Sequence, residues 1–182
     1  MIKPWPVSES KIAADFRIFK VRAERKTSPR TGLAHEVYVI DSVDWVNVIA
    51  TTPDRQLVMI EQYRHGSNEV ELEIPGGLID ASDSSPTSAG IRELREETGY
   101  EGEDPIIIGS IRPNPAIMSN TCYTLYVKNC RLKHPVEWDH GEDIVTRLVP
   151  LTEVRQLMAS GRIRHSLVAV ALYHFELFNV RP

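Results

Sequence analysis

The sequence predicts an α+β or α/β sandwich, preceded by a small N-terminal antiparallel β segment. Three observations predict it. Apolar runs of strand length are bounded by turn residues. A helix with recognisable start and stop signals spans residues 86–98. Strands and helices then alternate with short, hairpin-like links.

The elements follow in order. Residues 15–26 and 34–41 read as strands joined by the polar turn Thr27-Ser28-Pro29-Arg30-Thr31-Gly32. Trp45 to Ala50 is an apolar strand, and Thr52-Pro53-Asp54-Arg55 turns the chain. Leu57 to Tyr63 reads as a buried strand. Glu71-Leu72-Glu73-Ile74 alternates polar and apolar, then stops at Pro75-Gly76-Gly77. For the helix, Ser85 suits the N-cap, Pro86 the first turn, and Gly99 a left-handed C-terminal cap. Strands are expected at 106–112, 121–127 and 144–149, then helices at Thr152–Ser160 and Ser166–Phe178. A boundary is expected near residue 44, giving an N-terminal β segment of 1–44 and a main domain of 45–182.

Composition narrows the function classes. The 182 residues carry a net charge of −4, with 42% hydrophobic and 25% charged side chains, as in an ordinary soluble domain. Mild acidity argues against a nucleic-acid binder, which needs a basic face. Small anionic substrates remain open, because a metal ion can supply positive charge locally. The longest apolar stretch, Leu167 to Leu172, is too short for a bilayer. Cys122 and Cys130 lack the spacing of a zinc site and read as reduced thiols. With no secretory leader in Met1-Ile2-Lys3-Pro4-Trp5, they point to the cytoplasm.

Chemistry concentrates in the helix. Glu93, Glu96 and Glu97 fall on one helical side, since residues three and four apart are neighbours. Three adjacent carboxylates repel, and a hard divalent cation among them removes that penalty. All-oxygen ligation favours Mg²⁺ or Mn²⁺ over zinc. Arg92 stands i, i+4 to Glu96 and can orient it, while Ala89 and Leu94 pack the helix down. The preceding Gly-Gly loop lets main-chain carbonyls approach a metal closely.

The stretch Gly77 through Tyr100 resembles the Nudix box. Its second half, Arg92-Glu93-Leu94-Arg95-Glu96-Glu97-Thr98-Gly99-Tyr100, matches at every fixed position. Its first half departs: the Gly77-to-Arg92 spacing is one residue longer than in the family. Either Asp83 or Ser84 stands in place of the family's first Glu. Flanking segments resemble the ADP-ribose (ADP-sugar) pyrophosphatase branch. They are Trp45-Val46-Asn47-Val48, Glu61-Gln62-Tyr63-Arg64, residues 71–80, Asn114 to Asn120, and Gly161-Arg162-Ile163-Arg164-His165.

The resemblance implies a Nudix-type α/β/α sandwich with a mixed central sheet. It implies Glu93, Glu96, Glu97 and the Gly76 carbonyl as Mg²⁺ ligands, Arg64 against a phosphate, and Glu73 at the cleft floor. Met118 and Ser119, in the loop Asn114–Asn120, would line the pocket for the terminal sugar. The general base would lie in Asp139-His140-Gly141-Glu142-Asp143, with Glu142 first, Asp139 second and His140 a further occupant of that position. Glu96 would share metal and catalytic duty. Relatives in the branch form homodimers through N-terminal strands, which makes 1–44 the expected dimerisation segment. The expected reaction is Mg²⁺-dependent hydrolysis of a nucleoside-diphosphate sugar, most readily ADP-ribose. The alternatives are hydrolysis of another nucleotide and non-catalytic, regulatory binding of a nucleotide sugar.

Overall fold

A computed structural model describes residues 1–138 and 140–180 of the chain. The backbone divides into two compact units. The first comprises Met1–Asp44 and Arg112–Thr121, and the second Trp45–Ile111 and the chain from Cys122 onward.

In the first unit, β1 (Val7–Asp15), β2 (Phe19–Thr27) and β3 (Ala34–Ser42) form an antiparallel sheet in the order β1-β2-β3. The sequence pattern places the first strand at residue 15 onward, so β1 is an addition. Its segment Val7-Ser8-Glu9-Ser10-Lys11-Ile12-Ala13-Ala14-Asp15 is almost wholly exposed. An edge strand of that kind needs no sustained burial alternation, the signal on which strand prediction rests. Between β1 and β2 the chain turns at Arg17, whose φ is 68° and whose N–H donates to Asp15 Oδ1 at 3.0 Å. Residues 112–121 join this unit through β3. Ile40 N donates to Ile117 O at 2.7 Å, and Ser119 N donates to Ile40 O at 3.1 Å.

The second unit is a mixed α/β/α sandwich. One sheet runs β7-β4-β9-β8, made of β4 (Trp45–Ala50), β7 (Gly76–Leu78), β8 (Tyr100–Ile111) and β9 (Cys122–Leu132). In it β4 lies parallel to β9 and antiparallel to β7. The other sheet, β10-β5-β6, holds β5 (Gln56–Arg64), β6 (Glu69–Glu73) and β10 (Ile144–Pro150). The helices are α1 (Pro86–Thr98), α2 (Val154–Ala159) and α3 (Ser166–Asn179).

Helices cover both faces, so the central strands read as continuous apolar runs. From β4, Val46, Val48 and Ala50 pack under α1 with Ala89, Leu94 and Leu125. Ile49 points the other way, joining Leu57 and Met59 of β5 against Val168, Ala171 and Leu172 of α3. Burying each Val, Leu, Ile or Met among them contributes about 1.5–3 kcal/mol. Gly90 lets α1 seat closely: a Cβ there would lie 2.6 Å from Leu125 Cδ2 and 3.1 Å from Val46 Cγ2.

Helix α1 has the expected limits. Ser85 Oγ accepts from Ser88 N at 3.1 Å, and Ser88 Oγ accepts from Ser85 N at 2.9 Å, a reciprocal capping box. Gly99 ends the helix at φ 73°. The Gly-Gly stretch, expected as a strand terminator, is itself strand β7, paired with Trp45, Val46 and Asn47. Glycine removes the side chain that would bar this approach: a Cβ on Gly76 would lie 2.3 Å from Val46 O. Strand β8 starts at Tyr100, earlier than its apolar run, because register shifts let its polar first half pair with β9. Among the described residues no helix is long and apolar enough to cross a membrane.

Candidate active site

A cleft of about 660 Å³ opens in the second unit between the β5–β6 hairpin, β7 and the carboxylate side of α1. Its lining holds eight carboxylates (Glu71, Glu73, Asp80, Glu93, Glu96, Glu97, Glu137 and Glu142) against two guanidinium groups, Arg64 and Arg92. Such an excess of negative charge in one concavity is costly without a counter-charge.

Arg92 takes up part of it with all five of its N–H donors. Nε and Nη2 reach Asp83 at 3.2 and 2.9 Å, Nη1 reaches Glu93 and Glu96 at 3.0 Å each, and Nη2 reaches Leu78 O at 3.1 Å. The i, i+4 pair with Glu96 is thus present. Asp83 and Ser84 are placed differently. Asp83 is the side chain that meets Arg92, nearly buried, and that guanidinium holds its carboxyl below the usual range. Among the described residues the Ser84 hydroxyl bonds only Ser88 Oγ, at 3.2 Å.

The remaining carboxylates are differently placed. Burial is the main cause that pushes Glu93 up to about 7, against the pull of Arg92. Glu97 is almost fully buried, and desolvation raises it well above its ordinary value. Its Oε2 accepts from Gly76 N at 2.9 Å, and Glu93 and Glu142 add repulsion. Gly77 leaves room for Glu93, since a Cβ there would lie 2.4 Å from Glu93 Oε1.

The expected trio Glu93, Glu96 and Glu97 shares the cleft but does not converge as a preformed ligand set. Among the described residues no three His, Cys, Asp or Glu side chains do so. The physical reason is repulsion: Glu93 and Glu96 turn to Arg92, while Glu97 turns to the Gly76 N–H. The donors nevertheless fit a hard divalent ion. They are all oxygens, two are desolvated, and Arg92 is already saturated.

Across the cleft, Arg64 Nε and Nη2 reach Glu73 Oε1 and Oε2 at 2.8 and 3.0 Å, a bidentate pair. Only two of its five donors are spent among the described residues. Glu71 accepts from Arg164 Nε at 3.0 Å. His165 caps α3, its Nδ1 accepting from Leu167 N at 3.2 Å, and His65 rests edge-on against Tyr63.

Glu142 lines the cleft with the α1 carboxylates. Asp139 lies outside the described residues, and His140 is not in the lining. Met118 and Ser119 belong to the first unit and are absent from this lining. The Ser119 hydroxyl donates to Asp41 Oδ1 at 2.6 Å. Sequence reasoning passed over Asp80, Glu137 and Trp138. The last donates its indole N–H to Glu97 O at 3.1 Å. No residue pattern announces a lone indole on a helix carbonyl.

A family model, the NUDIX domain, matches residues 42–168, a range that contains every residue of this cleft. The chain belongs to the Nudix family. The expectation drawn from Arg92–Tyr100 holds, and the chain is a hydrolase of that family. This Nudix chain is 33% identical over 134 residues to the methanol dehydrogenase activator of Bacillus methanolicus, covering 72% of the chain and 71% of that protein. It is 24% identical over 147 residues to the ADP-ribose pyrophosphatase of Bacillus subtilis, covering 80% and 79%. A solved structure titled ADP compounds hydrolase superposes with a TM-score of 0.85 at 19% identity, covering 98% of this chain and 95% of that one. That likeness extends the Nudix fold over nearly the whole chain, N-terminal strands included.

Proposed function

We propose that this Nudix hydrolase cleaves the pyrophosphate bond of a nucleoside-diphosphate sugar, ADP-ribose first among them, with Mg²⁺ as its metal and Mn²⁺ as a substitute. The carrying observation is a cleft that opposes desolvated carboxylates on α1 to Arg64, a guanidinium pre-oriented by Glu73. The names of the ADP-ribose and ADP-sugar pyrophosphatase relatives favour that substrate class.

Glu93, Glu96, Glu97 and the Gly76 carbonyl would hold the metal. When bound, Mg²⁺ supplies charge neutralisation at the pyrophosphate. Arg64 binds a phosphate oxygen through donors that Glu73 leaves over. Glu142 accepts a proton from the attacking water, with Asp139 the second candidate. The water oxygen bonds to phosphorus as the bridging P–O bond breaks, its electron pair leaving with the departing phosphate. The products are a nucleoside monophosphate and a sugar phosphate. Positioned bases of this kind contribute typically about 10²–10⁴-fold.

Residues 1–44 would join two copies, since Ile12, Phe16, Ile18 and Tyr38 are exposed apolar side chains there. Two buried thiols suit a reducing, cytoplasmic setting.

Product analysis of ADP-ribose, ADP-glucose and GDP-mannose with Mg²⁺ tests the reading. Release of AMP and ribose phosphate is expected, with Glu97→Gln at least about 100-fold slower. Release of no monophosphate from any of them overturns it. That result would favour the second reading, a regulatory nucleotide-sugar binder, suggested by the Bacillus methanolicus activator.

A further inference from the structure

The last carbonyls of an α-helix lack partners within the helix and must find them elsewhere. At the carboxyl end of α1, the chain following β9 supplies them. Gly99 O accepts from the N–H groups of Lys133 and His134 at 3.0 Å each, and Glu96 O accepts from Glu137 N at 2.9 Å. These are main-chain bonds and demand no particular side chain. The next is different: Glu97 O accepts from Trp138 Nε1 at 3.1 Å. Glu97 is the residue whose carboxylate is most deeply set in the cleft. Four residues after Trp138, the chain delivers Glu142 to the same cleft.

Trp138 is 43% exposed, so its ring is not a core residue. Its hydrogen-bonding N–H is the feature that the fold uses. We propose that Trp138 is a positioning residue: its indole tethers the loop to the helix carbonyl of Glu97 and so sets where Glu142 stands relative to the α1 carboxylates. One helix then carries both the metal-facing groups and the anchor of the proton acceptor, so the two cannot shift independently. The proposal rests on Glu142 as the acceptor.

Kinetics on ADP-ribose with saturating Mg²⁺ would compare Trp138→Phe, Glu142→Gln and the double variant. Trp138→Phe keeps an aromatic ring and loses the N–H. Its kcat should fall about tenfold with KM within about twofold, the loss of one hydrogen bond. Glu142→Gln should fall by about 10²-fold or more. The double variant should be no slower than Glu142→Gln alone, because an absent base has no position to lose. Trp138→His, which keeps a ring N–H, should recover part of the loss and gives a second route if the Phe variant folds poorly. A wild-type kcat for Trp138→Phe, or a further tenfold loss in the double variant, overturns the proposal and leaves the functional reading intact. A wild-type kcat for Glu142→Gln removes both the assignment of the base and the tether built on it.

Discussion

Arg64 and Arg92 line one cleft and are held in opposite ways. Arg92 gives every donor to protein acceptors: Asp83, Glu93, Glu96 and Leu78 O. Arg64 gives two donors to one nearly buried carboxylate, Glu73, and presents the others to the cleft. A guanidinium whose donors are all spent has none left for an anion, whereas one with donors to spare can take one. Two arginines in one pocket, indistinguishable by charge, thus differ in what they have left to offer.

The largest expected effect falls on Arg64. Arg64→Ala should reduce kcat/KM on ADP-ribose by about 10²–10³, as for loss of a preorganised donor at developing charge. Arg64→Lys should regain less than half of that in free energy, since an ammonium cannot bridge Glu73 and phosphate with fixed geometry. Wild-type kinetics for the alanine variant would erase the distinction between the two arginines.

The next effect concerns what Arg92 leaves undone. Burial pushes Glu93 up to about 7 from an ordinary 4.5. Between those values the unfolded chain has lost the proton that the folded chain keeps, so stability is full below about pH 4.5 and falls as pH rises to about 7. Glu97 acts in the same direction. The ceiling for Glu93 is about 3 kcal/mol, at 1.36 kcal/mol per pKa unit. Thermal melts with chelator should therefore drop by several degrees from about pH 5 to about pH 7.5, and millimolar Mg²⁺ should close the gap. A chelated protein whose melting point rises over that range would contradict the burial of Glu93.

Arg92→Gln should then slow turnover about tenfold at low Mg²⁺ and much less at high Mg²⁺, because the cation can replace part of the lost charge. A Mg²⁺ titration of rate reads this, and a loss independent of Mg²⁺ would place Arg92 among the substrate contacts instead. The smallest effect is expected for Asp83→Asn, about 1 kcal/mol in denaturant unfolding, with turnover nearly unchanged. A large kinetic loss there would mean that the loop orients Glu93 and Glu96 more tightly than the hydrogen bonds suggest.

Much of this was legible in the residues, for physical reasons that differ by element. Helix α1 is fixed at both ends by local chemistry, Ser85 with Pro86 and then Gly99, so its limits could be read directly. The strands of the two-sided core could be read from apolar runs such as Val46–Ala50 and Leu57–Ile60. Strand β1 could not, because its side chains meet little but solvent. Strand β7 could not, because Gly76 and Gly77 carry the signature of a turn while using their bareness to pair with β4. Within the site, the identity of the α1 carboxylates was readable, but their orientation was not. A spacing of three and four residues shows which groups share a side, whereas repulsion and Arg92 decide where each points. That Asp83 rather than Ser84 meets Arg92 likewise needed the path of the loop.

Gly90 has a consequence beyond close packing. A methyl group added there would collide with Leu125 and Val46 beneath the helix, at 2.6 and 3.1 Å. The clash is relieved by those side chains moving aside or by helix α1 rising, and a rise would carry Glu93, Glu96 and Glu97 with it. Alanine at this position would then act as a shim, changing the height of the α1 acids while touching none of them. The seat of the helix that carries them depends on a single hydrogen atom on its far side.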